Sequence, residues 1–328
     1  MDRQDFIKML NKDLADEHAS ILRYLIHAYQ VGEATPFGSM LLSTAREEMW
    51  HMNWLGDELG ELGEEPDMRQ GEYPHDPTSN ASLLRSYIEW ERNLVTVYDA
   101  QAAQVDNHEM RRILQQLGWE SVTHLRRFQE WLERLGPEGE KPFEYEDEGF
   151  SAAMLGRFHK EVDQHYKLVL QHLRHAFVFE EAICPVGSEI ELSAMRHMKH
   201  LSHFAETLAE SGESLPFDYP GIDMSTDVVA ALSADLVLTK EARERFIMLG
   251  QEPEVEAAHE LKVEIDNMVT RNGLLATVVQ SLLEDVKEAP ESKPAAESEV
   301  AAPQATQPEQ RKTLPTLTVG SLIKKSDL

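Results

Sequence analysis

The chain has 328 residues, of which 41% are hydrophobic, enough for two ordinary domains with sizeable cores. Its 59 acidic residues outnumber 31 Lys and Arg and give a formal net charge of -28, which argues against binding nucleic-acid phosphates or an anionic membrane surface. No stretch has the apolar length of a membrane span, the charged opening MDRQDFIKML is unlike a signal peptide, and the lone Cys184 excludes a disulfide framework. We therefore expect a protein of the reducing cytoplasm.

The first part of the chain has the apolar spacing of helices and no alternation typical of strands. The expected helices cover residues 2–31, Pro36 to the Gly60–Gly63 region, and residues 82–103. A short connection beginning at Asn107 leads to a fourth helix, which ends near Gly136. Glycine just past a helix end, with proline nearby, is the usual way to terminate such elements. This half is predicted to be all-α.

One spacing occurs twice in these helices. Glu17 lies seven residues before Tyr24 in the first, and Glu91 lies seven before Tyr98 in the third. Residues seven apart on a helix share a face. The two helices are therefore expected to present matching Glu and Tyr side chains.

The second and fourth helices carry the complementary pattern. Glu48 precedes His51 by three residues and Glu120 precedes His124 by four, and each histidine is followed twelve residues later by a glycine. Spacings of three and four both lie on one helix face. The same pattern of a helical hairpin thus occurs twice, and two hairpins packed face to face would surround one point with carboxylates and imidazoles.

A metal is the usual reason to bring such groups together inside a bundle. One Glu from each of two helices and a Glu-x-x-His from each of the other two is a known dinuclear ligand set. Carboxylates with imidazoles suit iron, with manganese as the alternative.

On these motifs, residues 2–136 resemble the ferritin-like superfamily, the bacterioferritin and rubrerythrin branch in particular. The resemblance implies metal ligands at Glu17, Glu48, His51, Glu91 and His124, and it implies that Tyr24 and Tyr98 orient the ligand carboxylates. Ser121 stands where the second Glu-x-x-His would have its Glu. We expect Glu120 to substitute as a bridging carboxylate.

The hairpin pattern restarts farther along the chain. DQH at 163–165 aligns with DEH at 16–18, and His200 again precedes a glycine by twelve residues. Two further helices are expected at about 226–249 and 253–285. The predicted organisation is two tandem ferritin-like four-helix bundles, over residues 1–137 and 150–287, joined by an acidic hinge at 138–149.

The second bundle is expected to have lost the carboxylate set. The alignment puts Gln164 at the place of Glu17, and His197 with His200 at the place of Glu48 with His51. Asp235 and Glu264 are the candidate remaining carboxylates, while Met268 falls where a histidine would be expected. Two interpretations stay open: a degenerate bundle kept for packing or dimerisation, and a second metal site formed by His165, His197 and His200.

The C-terminal part changes character. Residues 288–316 are rich in Ala, Pro, Glu, Gln and Ser, a composition that predicts a flexible, disordered linker. Residues 317–328 follow, and their string LTVGSL resembles the cargo-loading peptide of proteins packaged inside encapsulin nanocompartments. Leu317, Val319, Gly320 and Leu322 are the expected shell contacts.

Together these resemblances imply an encapsulin cargo in the cytoplasm that oxidises Fe(II) at a dinuclear iron site for iron storage and protection against oxidative stress. One alternative is a peroxide-consuming enzyme of the rubrerythrin or manganese-catalase type. Another is a non-enzymatic metal-buffering or adapter cargo. The expected partners are an encapsulin shell protein and, as a candidate assembly, a second copy of the chain.

Overall fold

Helices make up the regular structure of the chain. The computed structural model describes residues 2–72, 77–145, 149–179 and 184–288, and within these ranges the only strand-type pairing is an isolated bridge between Ser79 and Pro142. The α-helices are α1 (Arg3–Val31), α2 (Pro36–Glu61), α3 (Asn80–Ala102), α4 (His108–Leu135), α5 (Ala152–Phe179), α6 (Cys184–Glu210), α7 (Val228–Leu249), α8 (Pro253–Ala257) and α9 (His259–Glu288). The all-α prediction is confirmed.

The helix ends follow local chemistry. Thr35 caps α2 by accepting a hydrogen bond from the Gly38 amide, with Pro36 as the first helical residue, and Asn107 caps α4 in the same manner. The three glycines that follow the predicted histidines by twelve residues, Gly63, Gly136 and Gly212, all have positive φ angles (70°, 52° and 75°). A residue with a side chain rarely adopts this conformation, so glycine ends these helices at low cost.

The helices pack as four antiparallel hairpins: α1 with α2, α3 with α4, α5 with α6, and α7 with α9. A short 3-10 helix, Gly136–Glu140, follows α4 at the start of the predicted hinge. The single helix expected over 253–285 is interrupted, because the backbone of Ala258 leaves the helical region (φ -91°, ψ 87°) and separates α8 from α9.

The first and third hairpins lie against each other. Helix α1 contacts α6, helix α2 contacts α5, and residues Met1–Glu288 form one compact unit. The boundaries of two separate bundles at 1–137 and 150–287 stay a prediction. The linker and targeting peptide expected beyond residue 288, and residues 146–148 of the hinge, lie outside the described ranges.

Two glycines of α2 make the contact with α5 unusually close. A Cβ atom added at Gly60 would lie 2.1 Å from the backbone carbonyl oxygen of Phe177, and one added at Gly56 would lie 2.5 Å from the Phe177 ring. The backbones of α2 and α5 are therefore in direct contact at Gly60. The contact of α1 with α6 includes a polar pair, in which the Tyr29 hydroxyl donates to Ser202 Oγ at 2.6 Å.

Among the described residues, no helix combines the length and the apolarity that crossing a membrane requires.

The close approach at Gly60 predicts a strong response to one methyl group. Gly60→Ala should lower the free energy of unfolding by about 1–3 kcal/mol, because the new Cβ would force the α2 and α5 backbones apart. Gly156→Ala on α5 is the matched control: no atom lies within 4 Å of its added Cβ, so only the helix propensity changes and stability should rise by roughly 0.5–1 kcal/mol. Urea denaturation followed by circular dichroism measures both, and equal stabilisation by the two changes would contradict the close contact.

Candidate metal centre

The four helices of the first two hairpins bring five buried side chains to one point. Glu17 from α1, Glu48 and His51 from α2, Glu91 from α3 and His124 from α4 are each at most 1% exposed. Their donor atoms form two groups, Glu17–Glu48–His51 and Glu48–Glu91–His124, and within each group these atoms lie within 4.8 Å of one another. Glu48 belongs to both groups.

The carboxylate of Glu48 divides its two oxygens between the groups. Its Oε2 lies 2.6 Å from Nδ1 of His51, and its Oε1 lies 2.9 Å from Nδ1 of His124. The outer carboxylates are slightly farther off, with Glu17 Oε2 at 3.4 Å from His51 Nδ1 and Glu91 Oε1 at 3.5 Å from His124 Nδ1. Ligands held at roughly 2.0–2.2 Å at right angles around one ion stand about 3 Å apart. The spacing therefore suits two ions with one carboxylate bridge.

Two tyrosines hold the outer carboxylates across the bundle. Tyr24 on α1 donates to Glu91 Oε1 on α3 at 2.6 Å, and Tyr98 on α3 donates to Glu17 Oε1 on α1. Each hydroxyl fixes one oxygen of its carboxylate and leaves the other, Glu17 Oε2 or Glu91 Oε2, without a hydrogen-bond partner in the described structure. The Glu and Tyr residues that lie seven apart on α1 and on α3 thus form reciprocal hydrogen bonds, which brace the two helices against each other.

The structure corrects the role expected for Glu120. Its Oε2 lies 2.6 Å from Nε2 of His51, on the side of the ring opposite to Nδ1, and it belongs to neither donor group. Because Ser121 rather than Glu120 points inward, being 2% exposed, the helix register keeps Glu120 at the outer edge. Glu120 therefore takes the position of a residue that orients a ligand histidine, and no second bridging carboxylate is present among these side chains.

Glu47 is a functional candidate that the sequence interpretation missed. Its Oε2 lies 2.8 Å from Nε2 of His124, and the Arg127 guanidinium donates to the same oxygen at 3.2 Å. Glu47 precedes His51 by four residues, as Glu120 precedes His124. This repeated spacing of four residues could have identified Glu47. In the structure, each hairpin supplies one carboxylate to the histidine of the other hairpin.

Burial and neighbouring charges shift the pKa values of the clustered side chains in opposite directions. Burial raises the pKa of Glu17 to about 8 and also raises that of Glu91. Burial would raise the pKa of Glu48 too, but the two histidines beside it lower it well below its usual range. The opposite holds for His51, where burial lowers the pKa and the carboxylates of Glu48 and Glu17 more than reverse this. Positive charge therefore stabilises the buried carboxylates of this cluster, a charge that bound cations would also supply.

Unsatisfied atoms show that the residues fit a metal. Glu17 Oε2 and Glu91 Oε2 are fully buried and have no hydrogen-bond partner in the part of the chain described. Buried polar atoms without partners are rare and costly, and these belong to carboxylates of the two donor groups. Their carboxylate and imidazole chemistry is that of an iron or manganese site.

The three histidines predicted as a second site also come together. His165 on α5 and His197 and His200 on α6 form a group whose donor atoms lie within 4.8 Å of one another, with all three rings buried. Burial lowers the pKa of His165 and of His197 well below the usual range and that of His200 to about 4. These rings are therefore neutral near pH 7.

The contacts shift the expected alignment of the two halves by one residue. His165 meets His197 and His200 as Glu17 meets Glu48 and His51, whereas Gln164, which the DQH match put at the place of Glu17, lies partly exposed beside this group. The motif match was misleading because it aligned the neighbouring polar residue instead of the inward-facing one.

Asp235 also occupies a different place from the one expected. Its carboxylate accepts from His175 Nδ1 at 2.9 Å. In the first half, the corresponding pair is Tyr87 with His27 at 3.1 Å, and Tyr87 lies one turn before Glu91. Four residues after Asp235, the equivalent of Glu91 is therefore the buried Thr239. The buried face at the middle of α9 carries Met268, Asn272 and Leu275, with no carboxylate or imidazole among them, and Glu264 is only partly buried. This half therefore lacks a second group of donors corresponding to Glu48, Glu91 and His124 among the described residues.

Comparison with known families agrees with the fold of the first half. Residues 7–136 match the family model described as a ferritin-like domain. No protein of curated annotation and no solved structure shows significant similarity to the chain. The family match covers all four helices that supply the carboxylate centre, and it supports a place for this part of the chain in the ferritin-like superfamily.

Proposed function

We propose that the first two hairpins form a dinuclear ferroxidase centre whose substrate is Fe(II). The single observation that carries the proposal is Glu48, which directs one carboxylate oxygen to each of two groups of three donors. Two iron ions held side by side supply the two electrons that reduce dioxygen to hydrogen peroxide, with uptake of two protons, and both become Fe(III). The oxidised iron would then be stored as mineral.

The chain's own residues give this centre its order. Glu17 and His51 hold one position, Glu91 and His124 hold the other, and Glu48 joins them. Hydrogen bonds from the tyrosine hydroxyls fix the orientation of each outer carboxylate and leave Glu17 Oε2 and Glu91 Oε2 without hydrogen-bond partners among the described residues. Glu120 and Glu47 accept from the Nε2 atoms and thereby leave Nδ1 of each histidine free to bind metal.

Both metal positions keep three donors although Ser121 replaces the second bridging carboxylate. This supports a catalytic pair of ions over the non-enzymatic adapter, which would be favoured by loss of one position. Rubrerythrin-type or manganese-catalase-type use of peroxide employs the same donors, so metal identity and reaction products separate the candidates.

Metal content is the first test. The purified full chain, loaded anaerobically with Fe(II), should bind about two irons in the first site and oxidise them rapidly in air. Glu48→Gln should lose both ions and the fast oxidation phase, whereas Glu17→Gln should weaken only the position shared with His51. Mass-spectrometric metal analysis and stopped-flow absorbance measure this, and manganese with catalase-like oxygen release, or zinc alone, would contradict the proposal.

The carboxylates that accept hydrogen bonds from histidine Nε2 atoms provide a second test. Glu120→Gln should weaken iron binding by roughly 10–100-fold, because a carboxylate that accepts from a ligand histidine sets its orientation and basicity. Glu130→Gln, at an exposed position on the same helix, is the control and should leave affinity unchanged. Equal affinities for the two variants in a calorimetric titration would exclude this role for Glu120.

We further propose that the protein is an encapsulin cargo. Support comes from the terminal string LTVGSL after a long segment poor in large apolar residues, both of which lie in residues 289–328, outside the described ranges. Leu317, Val319 and Leu322 would fill pockets on the inner face of the shell, with Gly320 between them. Inside a shell the Fe(III) product would be confined near its source.

Truncation tests the targeting role of the tail independently of iron binding and oxidation. A chain ending at residue 316 should keep its helicity and iron content but lose co-purification with a co-expressed encapsulin shell protein. A substitution set confined to the peptide, Leu317→Asp with Leu322→Asp, should give the same loss without shortening the chain. Continued packaging of either variant would show that the tail is not the targeting element.

A further inference from the structure

The third hairpin contains a buried cluster of histidines with unsatisfied ring nitrogens. His165 Nε2, both ring nitrogens of His197 and His200 Nδ1 are buried and have no hydrogen-bond partner among the described residues. The ring centroids of the three histidines are 5.6–5.9 Å apart. Buried ring nitrogens of histidines kept only for packing are expected to have hydrogen-bond partners.

Local hydrogen bonds direct one lone pair into this cluster. The Nδ1–H of His165 donates to the backbone carbonyl of Glu161, one turn earlier, at 2.8 Å. Because a carbonyl oxygen can only accept, the proton lies on Nδ1 and the Nε2 lone pair is free. Phe246 stacks on the His165 ring at 5.0 Å and meets His200 edge-on at 5.6 Å, which closes one side with an apolar wall.

The cluster stands where the first hairpin carries half of its carboxylate centre. His165, His197 and His200 match Glu17, Glu48 and His51 in helix, spacing and burial, so this half has exchanged two carboxylates for two imidazoles. The nearby carboxylate of Glu161 is engaged by the Arg245 guanidinium at 3.2 Å. The donor set is therefore three neutral nitrogens without a carboxylate.

We propose that His165, His197 and His200 bind a single d-block cation of the imidazole-preferring zinc and copper class. Neutral nitrogen donors suit Zn²⁺ and copper, while the oxygen-rich centre of the first hairpins suits iron or manganese. The three-histidine site takes one ion because the equivalent of the second position holds Thr239 in place of a carboxylate. The two halves of the chain thus select different metals.

The test uses the full chain with Glu48→Gln, which removes the carboxylate centre from the measurement. Chelator-stripped protein is titrated separately with Zn²⁺, with Cu⁺ under reducing conditions, and with Mn²⁺, against a chromophoric competitor. One equivalent of Zn²⁺ or Cu⁺ should be retained, and Mn²⁺ should not. His197→Gln with His200→Gln should reduce the affinity by at least about 100-fold, since even changes outside the ligand sphere cost roughly 10–100-fold.

His203→Gln is the matched control, because His203 lies one turn after His200 on α6 but outside the donor group. The affinity of this variant for Zn²⁺ or Cu⁺ should equal that of the Glu48→Gln parent. If the double variant does not fold, Co²⁺ bound to the Glu48→Gln protein should still show the visible absorption of a nitrogen-ligated ion. Failure of Zn²⁺, Cu⁺ and Co²⁺ to bind, or equal binding by the double variant and the control, would overturn the proposal.

Discussion

Burial of three carboxylates within reach of one another is the constraint around which the first two hairpins are arranged. An ionised carboxylate in a helical core is unfavourable unless positive charge and hydrogen bonds surround it. Here His51 and His124 flank Glu48, and tyrosine hydroxyls from opposite helices hold Glu17 and Glu91. Neither hairpin satisfies its carboxylates alone, because each tyrosine hydroxyl comes from the other hairpin and Glu48 pairs with His124 across the bundle as well as with His51 on its own helix. Assembly of the bundle and assembly of the centre are the same event.

The two halves show how few side chains decide what a common framework can hold. Hairpins of similar spacing surround a carboxylate-bridged pair of donor groups in one half and three imidazoles in the other. The position of Tyr98, whose hydroxyl braces Glu17, is matched by Phe246, which stacks on His165 and offers no hydrogen bond. Replacing an acidic ligand by a neutral one thus coincides with replacing its polar support by an apolar ring.

Sequence was informative wherever periodicity and capping carry the signal. Pro36 and the glycines after α2, α4 and α6 marked helix ends, and the doubled Glu–Tyr and Glu–His spacings together pointed to Glu17, Glu48, His51, Glu91 and His124. It was less reliable for residues one position apart. Glu120 and Ser121, or Gln164 and His165, are adjacent in the chain, and only the rotation of the helix in its bundle decides which one faces the core. The break at Ala258 likewise depends on a backbone angle that no periodic pattern marks.

The contact of α2 with α5 has a consequence for how the protein responds to dilution. With Phe177 against Gly56 and Gly60, the outer surface of the first hairpin is covered by another part of the same polypeptide. A separate subunit docked there would dissociate as its concentration fell, whereas a covalently joined hairpin is present at a fixed, high effective concentration. The support behind helix α2, which carries Glu48 and His51, therefore persists for a solitary molecule, and any second copy of the chain must associate through a different surface.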